Sequence, residues 1–272
     1  SSGLVNSETI GSVTLAYSAG AAATDAVNTY TGQVTPSAAT GGTFTASNYT
    51  ISYAAGDIIV GAKALTITAN NVNKTYGQTL TGAAGSTAFT SSGLANSETI
   101  GSVTLAYGTG AAATAGVNTY TGQVTPSAAT GGTFTVSNYT ISYVGGDIIV
   151  GAKELTITAN NVNKTYGQIL TGGTGSNAFV SSGLENGETV GSVTIAYGAG
   201  AAATAGVNTY AGSVIPSAVI GGTFTASNYT ISYVGGDIIV GAKALTITAN
   251  NVNKTYGSTL TGAAGSTAFT SN

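Results

Sequence analysis

The sequence contains no cysteine, histidine, methionine or tryptophan, and its six basic residues are all lysines. Without cysteine there is no disulfide, no thiol nucleophile and no thiolate metal ligand. Histidine, the commonest general base and metal ligand, is missing as well. These absences exclude most catalytic and metal-binding chemistry. They are typical of a protein that stays outside the cell, where methionine sulfoxide is not repaired.

Charge is the second scarce property. Charged residues make up 6% of the chain, against about 25% in an ordinary globular domain. The net charge of −3 offers no basic surface for nucleic acid or anionic lipid. No apolar run approaches the roughly 18 residues of a membrane span. We therefore expect neither nucleic-acid binding nor membrane insertion in this segment.

The sequence repeats itself with a period of 90 residues, so that Ser1-Ser2-Gly3-Leu4 returns at Ser91 and Ser181. Residues 48–53 return unchanged at 138–143 and 228–233. A fixed period of this kind is typical of a tandem array, in which any functional site should recur in each copy. Because Ser1 begins in the middle of a repeat, we expect the sequence to be an excerpt or a processed product.

Each repeat predicts β structure. Val13, Leu15 and Tyr17 alternate with smaller or polar residues, as do Leu65 and Ile67, and a period of two places them on one face of a strand. Glycine-rich turn signals such as residues 82–85 separate about seven short strands. The prediction is all-β: an elongated tandem array of small antiparallel domains of about 90 residues, sandwich-like or β-grasp-like.

The predicted domain boundary does not coincide with Ser1, because residues 61–63 form a natural hinge after an apolar strand. On this phasing the predicted domains are 64–153 and 154–243, which are complete. Residues 1–63 lack their first strands, and residues 244–272 contain only first strands. The last segment therefore supplies what the first domain lacks.

The order of motifs in one repeat resembles the MBG/YDG-type repeats of very large bacterial surface adhesins, including haemagglutinin-like secreted proteins. The motifs are Leu65-Thr66-Ile67-Thr68-Ala69, Lys74-Thr75-Tyr76-Gly77, Ser92-Gly93-Leu94, Ser102-Val103-Thr104-Leu105, Asn138-Tyr139-Thr140-Ile141 and Asp147-Ile148-Ile149-Val150. The resemblance implies an extracellular or cell-surface β-domain array, bacterial in origin, with stalk or adhesive duty. Many relatives carry an acidic residue after the Lys-Thr-Tyr-Gly motif, where this chain has Gln78, Gln168 or Ser258, which weakens a cation-binding role.

The carboxylates are too sparse to predict a site. Glu8 and Asp57 recur in every copy, whereas Asp25 becomes Ala115 and Ala205. A paired-carboxylate site would need the first two to meet across the fold. Asp57 is better interpreted as the cap of a local turn than as a calcium ligand. We predict no catalytic, cofactor-binding or metal-binding residues, no cofactor and no enzymatic activity.

Three other site hypotheses stay open. Lys63 or Lys74, one of Asn70, Asn71 and Asn73, and Asp57 could form an isopeptide crosslink, although solvated lysines are the simpler interpretation. Asn48-Tyr49-Thr50 and Asn73-Lys74-Thr75 match the N-glycosylation pattern. Tyrosines could stack on carbohydrate, but Tyr17, Tyr49 and Tyr53 are predicted to lie in the core, with Tyr30 and Tyr76 exposed.

Two functions follow. The first is a stalk or spacer segment of a bacterial cell-surface adhesin or biofilm matrix protein, with no chemistry of its own and only its neighbouring repeats as partners. The alternative is a self-assembling extracellular filament or sheath subunit. Its strands 244–270 would complete the 1–63 body of an identical chain. A carbohydrate or host-surface ligand is not indicated.

Overall fold

The computed structural model describes residues 3–262 and 264–272, so the predicted segments 1–63 and 244–272 each include residues outside the description: Ser1, Ser2 and Ala263. The chain divides into two compact units after Gly151. The secondary structure consists of strands and three single 3-10 turns, at Ala46–Asn48, Val136–Asn138 and Ala226–Asn228. The predicted all-β class is confirmed. Across the described residues, no helix has the length and hydropathy needed to cross a membrane.

The first unit opens with a three-stranded antiparallel sheet, which we call the N-terminal body (residues 3–61). Its strands lie in the order β1-β2-β3, and both strand pairs are antiparallel. The strands are β1 (Ile10–Tyr17), β2 (Asn28–Gly42) and β3 (Gly56–Val60).

The rest of the first unit is an eight-stranded module, which we call module 1 (residues 63–151). Its strands are β4 (Lys63–Ala69), β5 (Val72–Thr75), β6 (Ala83–Ser86), β7 (Phe89–Ser92), β8 (Ile100–Tyr107), β9 (Asn118–Gly132), β10 (Tyr139–Val144) and β11 (Gly146–Gly151). They form a three-stranded sheet, β10-β4-β7, and a five-stranded sheet, β5-β11-β9-β8-β6.

The core of module 1 lies between these two sheets. The smaller sheet buries Leu65 and Ile67, and the larger sheet buries Val103, Leu105 and Ile148. Burial alternates along each strand, as the period of two requires when one face of each sheet is covered. Module 1 is therefore a two-sheet sandwich, and no α-helix crosses a sheet in the described residues as a β-grasp fold would require.

The second unit repeats this sandwich as module 2 (residues 153–241) and ends in a C-terminal segment (residues 243–272). Module 2 consists of β12 (Lys153–Ala159), β13 (Val162–Thr165), β14 (Gly173–Ser176), β15 (Phe179–Ser182), β16 (Val190–Tyr197), β17 (Asn208–Gly222), β18 (Tyr229–Val234) and β19 (Gly236–Gly241). The C-terminal segment forms an antiparallel pair of β20 (Ile247–Ala249) and β21 (Phe269–Ser271).

The first and last strands of each module pair in parallel, an addition to the mainly antiparallel arrangement that alternation predicted. In module 1, β4 pairs with β10 from Lys63–Tyr139 to Thr68–Val144, and β5 pairs with β11 from Val72–Ile148 to Thr75–Gly151. The offset between partners is 76 residues in both sheets. Residues 63–75 and 139–151 therefore run side by side while both cross from one sheet to the other. We call them the terminal strand pair; module 2 has the same pair, 153–165 with 229–241.

Some local predictions were wrong. Residues 82–85 were predicted to be a turn, yet Ala83–Ser86 is a strand that pairs with β8 at the sheet edge, because backbone pairing needs no large side chain. Residues 43–46, whose alternation of threonine with Phe44 and Ala46 favours a strand, are irregular and lead into a 3-10 turn. Lys63 was assigned to the hinge but is the first residue of β4, because it pairs with Tyr139.

One glycine is required by backbone geometry at the end of β9. Gly132 has a φ of 74°, and a Cβ atom there would lie 2.1 Å from the carbonyl oxygen of Thr99. The same close approach occurs between Gly222 and Thr189, at 2.1 Å. Any side chain at this position would collide with backbone, which explains the recurring Gly-Gly pair that ends the long strand.

Identical sequence in different surroundings provides a direct stability test. Ile67 in β4 is 0% exposed, whereas its counterpart Ile247 in the C-terminal segment is 63% exposed. We expect Ile67→Ala to destabilise module 1 by about 2–5 kcal/mol, because it leaves a cavity between two sheets. Ile247→Ala should change stability by no more than about 0.5 kcal/mol. Urea unfolding of the dilute chain measures both, and equal effects would contradict this assignment of the core.

Candidate functional site

The aspartate that recurs in each repeat, Asp147 in module 1, binds two other segments of the module at the point where the terminal strand pair crosses from one sheet to the other. The backbone N–H of Asp147 donates to Asn71 Oδ1 at 2.7 Å, and Asp147 Oδ1 accepts from the N–H of Gly122 at 2.9 Å. Asp237 makes the same two bonds in module 2, at 2.8 and 2.9 Å. The sequence predicted that this aspartate caps a local turn. That prediction was wrong, because the carboxylate binds a backbone N–H of a different strand. Asp147 stabilises an irregular point of β9 that lies 25 residues away in sequence.

A buried lysine closes the other end of the terminal strand pair. The Lys74 ammonium donates to the carbonyl oxygens of Gln78 at 2.7 Å, of Ala111 at 3.5 Å and, in a shorter contact, of Ala112. Lys164 repeats this arrangement in module 2 with Gln168, Ala201 and Ala202. Since an ammonium offers three donors, three carbonyls satisfy it without a carboxylate.

The prediction that these lysines are solvated was wrong for Lys74 and Lys164, both of which are buried. Burial lowers the pKa of the Lys74 amine from its usual value, since desolvation disfavours the charged form. The groups named for an isopeptide crosslink have separate partners: the Lys74 amine binds carbonyls, Asn71 binds the Asp147 N–H, and the Asp147 carboxylate binds the Gly122 N–H. The sequence signal that was missed is the Lys-Thr-Tyr-Gly segment, which recurs in each repeat and whose lysine is the last but one residue of a strand.

The recurring glutamate pairs with a tyrosine rather than with the aspartate. The Tyr139 hydroxyl donates to the Glu98 carboxylate and accepts from the N–H of Ala95 at 2.9 Å. Tyr49 pairs with Glu8, and Tyr229 with Glu188, in the same way. Burial, followed by the hydrogen bond to Glu98, raises the pKa of Tyr139 above the ordinary value of 10.0. Glu98 and Asp147 thus act in separate structural bonds, and no acid–base pair is assembled from them.

Some of the predictions about tyrosine burial were correct and others were wrong. Tyr139 and Tyr229, the counterparts of Tyr49, are buried, but Tyr49 itself is half-buried, and the prediction that Tyr17 lies in the core was wrong because its side chain is 61% exposed. Tyr76 was predicted to be exposed but is 3% exposed, whereas its counterpart Tyr166 in module 2 is 45% exposed, although the N–H of each bonds the carbonyl that ends its terminal strand pair at 2.9 Å. Tyr143, the counterpart of Tyr53, is exposed because β10 is an edge strand, and its hydroxyl accepts from the Ala129 N–H at 2.9 Å.

Two side chains of module 1 bind the backbone of the N-terminal body within the first unit. Asn138 Oδ1 accepts from the N–H of Val27 at 3.0 Å, and Asn96 Nδ2 donates to the Ala23 carbonyl at 3.1 Å. Asn138 belongs to the motif that recurs unchanged in all copies. The short connection through residues 61–62 is therefore supported by hydrogen bonds on both sides of the junction.

The described residues contain no cluster of three or more acidic side chains that could hold a metal ion. Their recurring polar groups instead bond backbone groups or each other, and the bond between Asn71 and the Asp147 N–H joins the beginning of a module to its end. The arrangement can resist separation of the first and last strands.

These features define the class of protein: a tandem all-β structural repeat whose modules are two-sheet sandwiches closed by a parallel terminal strand pair. The family model described as MBG domain (YGX type) matches residues 65–148 and 155–238, one match in each module. The chain belongs to this family, and the resemblance drawn from its motifs is confirmed. No curated protein and no solved structure matches the chain.

The buried Lys74 with its three carbonyl partners, which we call the lysine cap, and its exposed counterpart Lys254 offer a matched pair of variants. Lys74→Met removes the three hydrogen bonds that this buried side chain donates to backbone carbonyls, so we expect module 1 to lose about 1–3 kcal/mol of unfolding free energy. Lys254 occupies the same position in the C-terminal segment, is exposed and bonds only the Ser258 carbonyl among the described contacts, at 3.3 Å. Lys254→Met should leave unfolding of the dilute chain unchanged. Equal urea midpoints for wild type and Lys74→Met would refute the cap.

The Tyr139–Glu98 bond predicts a loss of stability at alkaline pH. Because the folded-state pKa of Tyr139 is raised, an unfolded chain releases this proton at lower pH than a folded one. Stability from this bond is complete below about pH 10 and declines as pH rises through the folded-state pKa. We expect Tyr139→Phe to show a shallower decline than wild type in urea unfolding between about pH 8 and 11. Parallel profiles for the two proteins would contradict the assignment.

Proposed function

We propose that this chain is a load-bearing spacer of an extracellular bacterial surface protein, such as an adhesin or a matrix protein, and that it carries out no chemistry of its own. Its role is to transmit force through successive modules without unfolding. The partners of each module are its neighbours in the same chain. The observation that carries the proposal is the direction of the terminal strand pair.

In module 1 the chain enters at Lys63, which pairs with Tyr139, and leaves at Gly151, which pairs with Thr75. Entry and exit therefore lie at opposite ends of two parallel, adjacent segments. Tension applied through the chain slides these segments lengthwise past each other. Sliding loads all of the backbone bonds between them together, whereas pulling both strands from the same end would break the bonds one after another.

The polar contacts reinforce this direction of resistance. Asn71 binds the Asp147 N–H at the midpoint of the pair, where β4 gives way to β5. The Tyr76 N–H binds the Gly151 carbonyl at the far end. Lys74 fastens the same end to the loop at residues 111–112. The pair is thus bonded at its middle and at its exit end as well as along its strands.

Family and composition support a location outside the cell. MBG domains occur in extracellular surface proteins, and tandem MBG domains are consistent with a structural repeat segment of such a protein. The absence of cysteine and methionine leaves little that oxidation can damage. An antibody raised against the chain should label intact cells of the source organism, and labelling only after the cells are opened would contradict this location.

Single-molecule extension of the full chain between two handles tests the mechanical role. We expect two separate unfolding events, one for each module. Each should release about 30 nm of chain, given roughly 3.5 Å for every extended residue. Extension without a resolved force peak would contradict the proposal.

A matched pair of proline variants tests the terminal strand pair itself. Thr140→Pro removes a backbone donor from β10 and should lower the force of one event while leaving the other unchanged. Thr50→Pro makes the same change in the identical motif of the N-terminal body, where residues 49–54 form no strand. It should leave both events at wild-type force. If Thr140→Pro also leaves both forces unchanged, the load does not pass through this pair.

A further inference from the structure

Each complete module has four strands at the edges of its two sheets, and one of these strands differs from the other three. In module 1 the edges are β10 and β7 in the smaller sheet and β5 and β6 in the larger sheet. An edge strand offers unpaired backbone groups to any other strand, so natural proteins protect edges with very short strands, charged side chains, bulges or proline. β5, β6 and β7 are four residues long, and the register of β6 with its neighbour is also irregular.

β10 has none of these protections. It is six residues long, Tyr139–Val144, and it pairs with β4 in a regular register without a bulge. It contains no charged residue, proline or glycine, and its aromatic and β-branched residues favour extended structure. Short segments of this composition are prone to pair with copies of themselves. β4 is its one partner among the described strands, and Tyr143 and Val144 are 39% and 45% exposed.

The same edge recurs in module 2. β18 has the same six-residue sequence as β10 and the same position at the edge of the smaller sheet. Tyr233 and Val234 are 40% and 47% exposed, close to the values of their counterparts in module 1. The open edge is therefore a property of the complete module, and the chain carries it twice.

The strand is complementary to itself. The segment Tyr139-Thr140-Ile141-Ser142-Tyr143 has a tyrosine at each end, a hydroxyl residue next to each tyrosine and an isoleucine at its centre. When two copies pair antiparallel with Ile141 opposite Ile141, each tyrosine lies opposite a tyrosine and each threonine lies opposite a serine. Directly opposed pairs of these kinds stabilise antiparallel strands.

This alignment also keeps the two faces of the sheet consistent. Tyr139 is buried on the core side of β10, whereas Thr140 and Ser142 are exposed on the outer side, where Ser142 Oγ lies 3.2 Å from Thr66 Oγ1. Directly opposed residues share a face of the sheet. The joined sheet would therefore have one continuous core side and one continuous outer side of hydroxyl groups.

We propose that this edge strand pairs antiparallel with the same strand of a second copy of the chain, with Ile141 opposite Ile141 in module 1 and Ile231 opposite Ile231 in module 2. The pairing joins two three-stranded sheets into one sheet of six strands. It is isologous, so the molecules associate side by side. Because each chain has two such edges, it can contact a neighbour twice or contact two neighbours. This lateral association goes beyond the load-bearing role and does not depend on it.

A second copy fits the edge better than an unrelated strand does. Any strand could supply backbone hydrogen bonds, but the tyrosine and hydroxyl pairs match only when the partner has the same sequence. Repulsion between copies is also small, since the strand is uncharged and the net charge is −3 over 272 residues.

The first test measures the molecular mass of the full chain against concentration, by sedimentation or light scattering at physiological salt. Wild type should associate as concentration rises. An acidic variant and a basic variant replace the four exposed outer hydroxyl residues by Asp or by Lys at Thr140, Ser142, Thr230 and Ser232. Each variant alone should associate at least about tenfold more weakly than wild type, because like charges then lie directly opposite each other.

Mixing the acidic and basic variants should restore association, because each Asp then lies opposite a Lys. Charges more than about 8 Å apart are screened at this salt concentration, so the recovery reports direct opposition. The matched control places Asp on the other edge of the same sheets, at the exposed residues Thr90, Ser92, Val180 and Ser182. It should associate like wild type.

Three outcomes of this test would overturn the proposal. The first is a wild-type chain that stays monomeric at its highest soluble concentration. The second is an acidic variant that associates as strongly as the control with Asp on the other edge. The third is a mixture of the acidic and basic variants that associates no better than either variant alone.

The second test fixes the register by disulfide trapping, and the chain's lack of cysteine leaves no competing thiol. A Thr140→Cys chain is mixed with a Ser142→Cys chain that carries a tag to change its size. Directly opposed Cβ atoms lie about 4.5–5.5 Å apart, within reach of a disulfide after a small adjustment. We expect the mixed dimer on a non-reducing gel, in far greater yield than the dimer of either chain alone.

A Ser142→Cys chain that crosslinks to itself as well as to Thr140→Cys would overturn the register. The absence of any crosslinked dimer at concentrations where wild type associates would overturn the edge strand as the contact. The oxidation conditions are checked with Thr66→Cys and Ser142→Cys in one chain, where the parent hydroxyl oxygens lie 3.2 Å apart.

Discussion

The parallel pairing of the first strands of a module with its last strands is the contact on which the rest of the structure depends. It brings together residues 76 positions apart, and both sheets need it. Without it the three-stranded sheet loses its central strand and the five-stranded sheet loses an edge. The N-terminal body shows the result, because its residues 49–54 form no strand although the first five of them are identical to residues 139–143 of β10. Closure by distant residues, rather than local propensity, makes these segments strands.

The same contact contributes both to stability and to the proposed mechanical role. Its hydrophobic part buries Leu65 and Ile67 between the sheets, and its polar part fastens the crossover through Asn71 and Asp147. Because the two segments are parallel and carry the chain into and out of the module, a pull on the chain meets resistance from all of these bonds at once. A spacer needs this property more than it needs a binding site. The scarcity of charge and the lack of histidine fit such a role.

How much the sequence alone predicts varies between features. The alternation of apolar and polar residues in β8 and β4 was enough to predict the all-β class. The 90-residue period and the motifs within it were enough to predict the family. The parallel pairs were not predictable from alternation, which is the same on a strand whichever neighbour it has. The burial of Lys74 was missed because its partners are carbonyls 4 to 38 residues away, and no side-chain pattern marks a carbonyl. The edge strand at Ala83–Ser86 was missed because backbone pairing alone holds it.

The constant period has a consequence for inheritance. Most equivalent positions of the two complete modules have the same burial, so a gene that gains or loses 90 codons within the array joins two positions that already match. The hybrid repeat at such a joint keeps its offset of 76 between paired segments and its own lysine cap. Recombination between repeats can therefore change the number of modules in one step without creating a misfolded joint. The number of modules in such an array can therefore change separately from the fold of each module.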